Sequence, residues 1–424
     1  MHLMPGPERG AQSLHRIAVV IALQMLAATL LIPAIRPLFA EVHHASRGAM
    51  HAFMALNMLG AAVAVPLVGA AADRGLRLGR AVMWLALADA ALLALLAARL
   101  PTALILALRT LEGAAHVSTT TLLLAEIARR STTQQRGRAM GEAGAALILA
   151  VACGSGLGTL LLGFDARAPL WAGALLAVGV ACFAARELST GTPAGELGEP
   201  RERRRRLAFG LLREVPALRA PLAAAFVARF TIGCIVVTFA LFAREVHGMS
   251  DAAVGGCFAL LTFPFALATL PAGWLTDRVS ARAALVVGVG AYGVCLLLLP
   301  HAARGALPML MVCAGLGSAL IFAALLHVTA ELGRDARGSA MALLNVAGCL
   351  GMLLGPAVAG VLGALLRQPA DPSAGYRVVF AVAAGACLVW MPWGVAWWRS
   401  AAATTTPATS GAAGPAAAAA ERRS

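Results

Sequence analysis

The chain of 424 residues contains no lysine, 5% aromatic residues and only 13% charged residues, where a soluble globular domain carries about a quarter charged. That shortage of charge excludes a water-facing surface large enough to enclose a composition that is 60% hydrophobic, with a mean hydropathy of +0.81. Paired cysteine spacing is also missing. No Cys-x-x-Cys occurs, and all eight cysteines (Cys153, Cys182, Cys234, Cys257, Cys295, Cys313, Cys349, Cys387) fall in apolar stretches, so they read as small hydrophobes and not as disulfides or zinc ligands. His-Glu-x-x-His, Gly-x-Ser-x-Gly and glycine-rich phosphate loops are absent, which removes the usual signatures of an enzyme and of a bound cofactor. His43, His44 and His51 cluster without cysteine or carboxylate partners at ligand spacing, so they are expected to be a solvated loop and no metal site is expected.

What remains is a series of apolar runs of the length that crosses a bilayer core, about 20 residues each. Breaking hydropathy at charge and turn clusters places spans at 14–38, 49–72, 80–99, 104–128, 140–162 and 168–186, then at 220–244, 252–276, 281–299, 306–331, 340–366 and 376–398. The expected fold is therefore all-α, with twelve transmembrane helices in two six-helix bundles, residues 1–186 and 220–398. Between them lies a polar linker, 187–219, carrying Arg203, Arg204, Arg205 and Arg206 and an expected interfacial helix near Leu207 to Leu212. The tail, 399–424, is low in complexity from Ala401 and is expected to be disordered. The first span has no small-residue cleavage site before a polar domain and reads as a retained helix.

All 34 basic residues are arginine, giving a net charge of +14. With the N-terminus inside, 24 arginines fall on the cytoplasmic side and 8 outside, with Arg109 and Arg229 within spans. Positive-inside bias then places both termini in the cytoplasm, and a basic pI reflects topology and not nucleic-acid binding. The Ala, Gly and Arg bias suggests a GC-rich bacterial genome, hence a bacterial cytoplasmic membrane. Trp390, Trp393, Trp397 and Trp398 at the end of the last span read as an interfacial belt.

The halves repeat. Gly69-Ala-Ala-Ala-Asp73-Arg74-Gly75-Leu76-Arg77-Leu78-Gly79-Arg80 follows the second span, and Gly273-Trp-Leu-Thr-Asp277-Arg278-Val-Ser-Ala-Arg282 follows the eighth, an offset of 204 from Asp73 to Asp277. Glu126 matches Glu331 at 205, and Arg136-Gly-Arg-Ala-Met140 matches Arg337-Gly-Ser-Ala-Met341 at 201. Such a near-constant offset implies two parallel six-helix repeats. On these residues the sequence resembles the major facilitator superfamily across essentially the whole chain. The Gly69 to Arg80 segment looks like that family's motif A. Arg109-Thr-Leu-Glu112-Gly113 is similar to its RxxxG motif, and Gly348-Cys-Leu-Gly351-Met-Leu-Leu-Gly355-Pro356-Ala-Val-Ala-Gly360 resembles its glycine-proline antiporter motif. In the drug-antiporter branch that last motif belongs on the fifth span, where Gly154, Gly156, Gly158 and Gly163 keep the spacing without the proline.

The resemblance implies alternating access of a small solute between two bundles, with a likeness to the drug or metabolite proton-antiporter branch, in a monomer bounded by lipid. The charged residues then acquire expected roles. Asp73, Arg74, Arg77, Arg80, Glu126 and Arg136, echoed by Asp277, Arg278, Arg282, Glu331 and Arg337, are read as a cytoplasmic gate of ion pairs, each worth about 0–1 kcal/mol. Charges within a span cost about 2.5–3.5 kcal/mol on insertion scales and are functional candidates by default. Asp89, Arg109 and Glu112 are the proton-coupling candidates; Arg109 and Glu112 share a helix face at i, i+3. Gln24 and Arg229 occupy equivalent positions at offset 205 and, with Asn57 and His116, are cavity candidates. Arg229 either binds an anionic group, balances Glu112, or reaches to the interface. Gly154, Gly158, Gly351 and Gly355 allow close helix packing, and Pro356 can bend its helix. Export of an amphipathic solute predicts an apolar cavity, import of a sugar or organic acid a polar one, and a membrane-embedded sensor or enzyme ranks behind both. Few Asn, Gln and Tyr in the expected cavity helices favour export.

Overall fold

The computed structural model describes residues 7–35, 38, 47–188, 208–366 and 373–405. His43, His44, the run Arg203 to Arg206 and the tail from 406 lie outside the described residues. Among the described residues, apolar runs bounded by Arg, Gly, Pro and Asp fold as twelve long helices: α1 (Pro7–Thr29), α2 (Arg47–Asp73), α3 (Leu78–Leu96), α4 (Thr102–Arg130), α5 (Arg136–Leu162) and α6 (Ala168–Phe183), then α7 (Arg219–Glu245), α8 (Asp251–Arg278), α9 (Ala281–Leu298), α10 (Leu307–Leu332), α11 (Arg337–Leu365) and α12 (Ser373–Thr405). No strand occurs among the described residues. Helix is the form in which such runs satisfy their own backbone polar groups in lipid.

Eleven of these helices are long and apolar enough to cross a membrane; α4 is the exception. It carries Arg109, Glu112, His116, Glu126, Arg129 and Arg130, most of them turned inward. The least lipid-like helix is thus kept in the bundle by its neighbours. The short connections are built by recognisable local chemistry. Gly75 adopts φ 96° in the turn from α2 to α3, a left-handed conformation that a side chain disfavours. Ser250 and Ser280 cap α8 and α9, their Oγ atoms accepting from Ala253 N at 3.3 Å and Ala283 N at 3.4 Å. The interfacial helix expected near Leu207 is a chain of short turns, Ala208–Gly210, Leu211–Glu214 and Pro216–Leu218, whose Ala208, Leu211 and Leu218 are buried.

The packing repeats with the sequence. In the first half α1 packs on α5, α2 on α4, and α3 on α4 and α6; in the second, α7 packs on α11, α8 on α10, and α9 on α10 and α12. Each pair in the first half maps on the second by adding six. The halves meet through α2 with α11 and α5 with α8, which is the same contact under that exchange. Within each half, glycines bring backbones together. A Cβ on Gly158 would stand 2.3 Å from Leu30 O, and one on Gly355 2.3 Å from Phe230 O. Gly154 packs against Thr29 and Gly351 against Phe226 in the same way, while the Pro356 ring abuts Gly233.

The aromatic end of α12 corrects an expectation. Trp390 is 3% exposed and its Nε1 donates to Ala220 O at 3.0 Å, and Trp397 is buried under the Arg282 guanidinium, 4.8 Å from the ring centre. Only Trp393 and Trp398 are exposed as a belt requires. The eight cysteines are all free thiols.

Candidate functional site

A cavity of about 260 Å³ lies where the two halves meet, walled by residues of α1, α2, α4 and α5 from one side and α7 to α11 from the other. Its wall is mainly apolar, with Met25, Met58, Ile232, Phe265, Phe322 and Met352 among its members. The polar exceptions are His116, Thr120, Arg229, Tyr292, Ser318 and Asn345, and no Asp or Glu lines it.

Immediately behind His116 the coupling candidates come together. Arg109 Nη1 donates to Glu112 Oε2 at 2.5 Å, and Asn57 Nδ2 donates to the same oxygen at 2.8 Å. Gln24 Nε2 donates to Asp89 Oδ2 at 2.8 Å, and His116 Nδ1 lies 3.0 Å from that oxygen and 3.0 Å from Gln24 Nε2. Four helices contribute: Gln24 from α1, Asn57 from α2, Asp89 from α3, and Arg109, Glu112 and His116 from successive turns of α4. Asp89 and Glu112 are fully buried, and donor atoms of Asp89, Glu112 and His116 lie within 4.8 Å of one another. At that separation in a low-dielectric interior, a charge placed on one group is felt by the others. Arg109 also stacks on Phe53, 4.7 Å from the ring centre.

Several atoms here have no hydrogen-bond partner among the described residues: Asp89 Oδ1, Glu112 Oε1, His116 Nε2, Gln24 Oε1 and Arg109 Nε. A buried polar atom without a partner marks a place where a proton, water or ligand is still to be accommodated. The cavity candidates divide. His116 and Arg229 line the cavity, whereas Gln24 and Asn57 stand in the network behind it, not on its wall. Arg229 forms no ion pair with Glu112; its guanidinium lies over Phe322, 5.6 Å from the ring centre, and its stem rests on Gly348 and Gly351.

The expected gate is built differently from the expectation. Asp73 reaches backbone across the halves: its Oδ1 and Oδ2 accept from Gly338 N at 2.8 Å and Ser339 N at 2.7 Å, in the first turn of α11. Asp277 repeats this on α5, accepting from Gly137 N at 2.6 Å and Arg138 N at 2.7 Å. These amides have no partner within their own helix, and the helix dipole favours the carboxylate there. Gly69 and Gly273 allow the approach: a Cβ on either would stand 2.5 Å from a backbone oxygen of the other half, Gly338 O or Gly137 O.

The remaining gate candidates take local roles. Glu126 pairs within α4 with Arg129 at 2.6 Å and Arg130 at 2.5 Å. Arg337 crosses the halves, donating to Arg129 O at 3.3 Å, at the carbonyl end of α4. Arg136 is buried with its Nε unpartnered among the described residues. Arg74, Arg77, Arg80, Arg278 and Glu331 are exposed.

Two contacts were not anticipated. Asn345 Nδ2 donates to Thr121 Oγ1 at 2.8 Å between α11 and α4, and His327 Nδ1 lies 3.0 Å from Thr276 Oγ1 and 3.8 Å from Asp277 Oδ1 beside the second latch. Lone polar residues on otherwise apolar helices were the available signal.

Two six-helix bundles related by a shift of six, closed by twin latches over a central cavity, define a multi-pass membrane transporter fold. The Major Facilitator Superfamily model matches residues 17–262 and 221–423, and the chain belongs to that family. Among solved structures it is similar to the human organic anion transporter MFSD10 (TETRAN), at 18% identity and a TM-score of 0.72, over 92% of this chain and 100% of that one. That likeness concerns the fold. No curated protein matches the sequence.

Proposed function

We propose that this protein is a proton-coupled secondary transporter that exports a small amphipathic solute by alternating access. It works as a monomer in a bacterial cytoplasmic membrane, with both termini and the two latches on the cytoplasmic side. The observation that carries the proposal is the buried set Asp89, His116, Glu112 and Arg109, connected to the cavity through His116 alone. The arginine bias supports the orientation, and the apolar wall supports an amphipathic solute over a sugar.

His116 offers two arrangements. With a proton on Nδ1 it donates to Asp89 Oδ2 and leaves Nε2 bare; with Nδ1 bare, Nδ1 accepts from Gln24 Nε2. A proton taken up at Nε2 makes an imidazolium beside Asp89, and passage of a proton to a free oxygen of Asp89 or Glu112 neutralises a carboxylate. Neutralising Glu112 releases Arg109 from its ion pair, which couples protonation to the packing of α4 on α2. The cycle therefore needs a carboxylate that can change charge, not merely one that is buried.

The test is flux in proteoliposomes under an imposed pH gradient, followed for 1-naphthoate, 1-naphthamide and 1-naphthylmethylammonium as anionic, neutral and cationic probes. Glu112→Gln and Asp89→Asn are expected to abolish gradient-driven accumulation while leaving exchange without a gradient. Undiminished gradient-driven flux in both variants rules out the proton-carrier assignment, and flux indifferent to the gradient in the wild type identifies a facilitator.

A further inference from the structure

Arg229 is the one permanent charge on the cavity wall, and among the described residues no acid answers it. No carboxylate lines the cavity, and no ion pair or hydrogen bond to Arg229 occurs among the described residues. The side chain is held in place: its stem packs against α11, where a Cβ on Gly348 would stand 3.3 Å from Arg229 Cγ and one on Gly351 3.1 Å from Arg229 Cβ. The guanidinium carbon lies 5.6 Å from the Phe322 ring centre, a cation–π contact that satisfies none of its five N–H donors. A cation so placed in a poor dielectric is costly until a negative charge joins it.

The repeat sharpens the point. Gln24, at the position equivalent to Arg229, spends its amide inside the protein on Asp89 and His116. The second half puts a guanidinium there and supplies no acid to receive it.

We propose that the cavity takes a small amphipathic organic anion, its head group held by the guanidinium of Arg229 and its apolar body against Met25, Ile321, Phe322 and Met352. This rests on the transport reading and adds the class of solute to it. A planar carboxylate or a sulfonate matches the forked N–H geometry of arginine. The apolar wall selects an organic body over an inorganic ion, and a volume of about 260 Å³ limits it to a small one. From the other half, His116 also lines the cavity.

Equilibrium binding of the three naphthyl probes to the purified full-length protein, with no gradient present, tests this apart from proton coupling. Wild type is expected to prefer 1-naphthoate over 1-naphthamide by about tenfold or more, and Arg229→Gln to bring the two within about threefold. Arg229→Lys, which keeps the charge and covers the case in which Arg229→Gln fails to fold, should retain a reduced anion preference; Arg229→Glu should favour 1-naphthylmethylammonium. Equal wild-type binding of 1-naphthoate and 1-naphthamide, no saturable 1-naphthoate binding, an unchanged preference in folded Arg229→Gln, or displacement by equimolar chloride each overturns the inference. If 1-naphthoate binds through Arg229 but a pH gradient does not drive it, the proton reading falls and the anion site stands. Gradient-driven flux of only the neutral or cationic probe has the opposite meaning.

Discussion

Replacing Asp73 with Asn tests whether the carboxylate is a latch between halves or only a cap for α11. The aspartate accepts two backbone N–H groups, at 2.8 and 2.7 Å, from a helix whose first-turn amides have no other partner in the helix. Asparagine keeps one acceptor oxygen and loses the charge. Hydrogen bonds to charged groups contribute about 1.5–3 kcal/mol net, and a carboxylate at a helix N-terminus about 0.3–1 kcal/mol. At this partly exposed edge a loss of about 1.5 kcal/mol is reasonable, or roughly tenfold in the closed-to-open ratio. Hydrogen–deuterium exchange reads it at two places. The amides of Gly338 and Ser339 must exchange faster simply because they lose an acceptor. The informative amides are Gly137 and Arg138, which Asp277 protects at the other latch. If both latches hold one equilibrium, these too accelerate by about tenfold in Asp73→Asn. Acceleration confined to Gly338 and Ser339 would refute the latch and leave a local cap.

Three other outcomes follow from named contacts. Gly69→Ala would put a methyl 2.5 Å from Gly338 O, a backbone atom that cannot swing aside; the same latch amides should exchange faster with helix content unchanged by circular dichroism, and unaltered exchange would show that the halves pack less closely there. His116→Gln keeps a donor beside Asp89 but cannot titrate, so gradient-driven flux should be lost; retained driven flux would remove His116 from the proton path. Trp390→Phe removes the 3.0 Å bond to Ala220 O, an addition to that carbonyl's bond within α7, and should cost about 1 kcal/mol of stability in thermal unfolding with flux intact.

The twelve spans and the repeat were legible because both are written in side chains: run length in apolar residues and spacing in charged ones. Even α4, the helix that is not apolar enough to count as a crossing by length and composition, was placed at 104–128 by breaking hydropathy at charge and turn clusters. The gathering of Asp89, Arg109 and Glu112 followed from the cost of charge in lipid, which leaves buried ions few alternatives to one another. The backbone contacts of the gate were not legible. Asp73 and Asp277 accept from amides of Gly338, Ser339, Gly137 and Arg138, which carry no letter of their own. Trp390 was misplaced for a related reason: an indole at a helix end fits a membrane interface and a buried hydrogen bond equally well, and only the partner, Ala220 O, decides.

Duplication here extends to the mechanics but stops short of the chemistry. Each half contributes one carboxylate that closes on the first turn of a helix in the other, so the contact is twofold. The buried charges obey no such symmetry. The first half holds both carboxylates, and α10, which corresponds to α4, has no counterpart of Arg109 or Glu112 within its buried core. The second half instead presents Arg229 to the cavity. On the proposed reading of a proton-coupled anion transporter, keeping the buried carboxylates in one half and the fixed cation in the other prevents a solute's negative charge from competing directly with the ion pair of Arg109 and Glu112. An Asp or Glu beside Arg229 would defeat that division. Substituting Asn345 with Asp on the cavity wall should therefore weaken anion binding strongly while leaving the Asp89 and Glu112 network chemically intact.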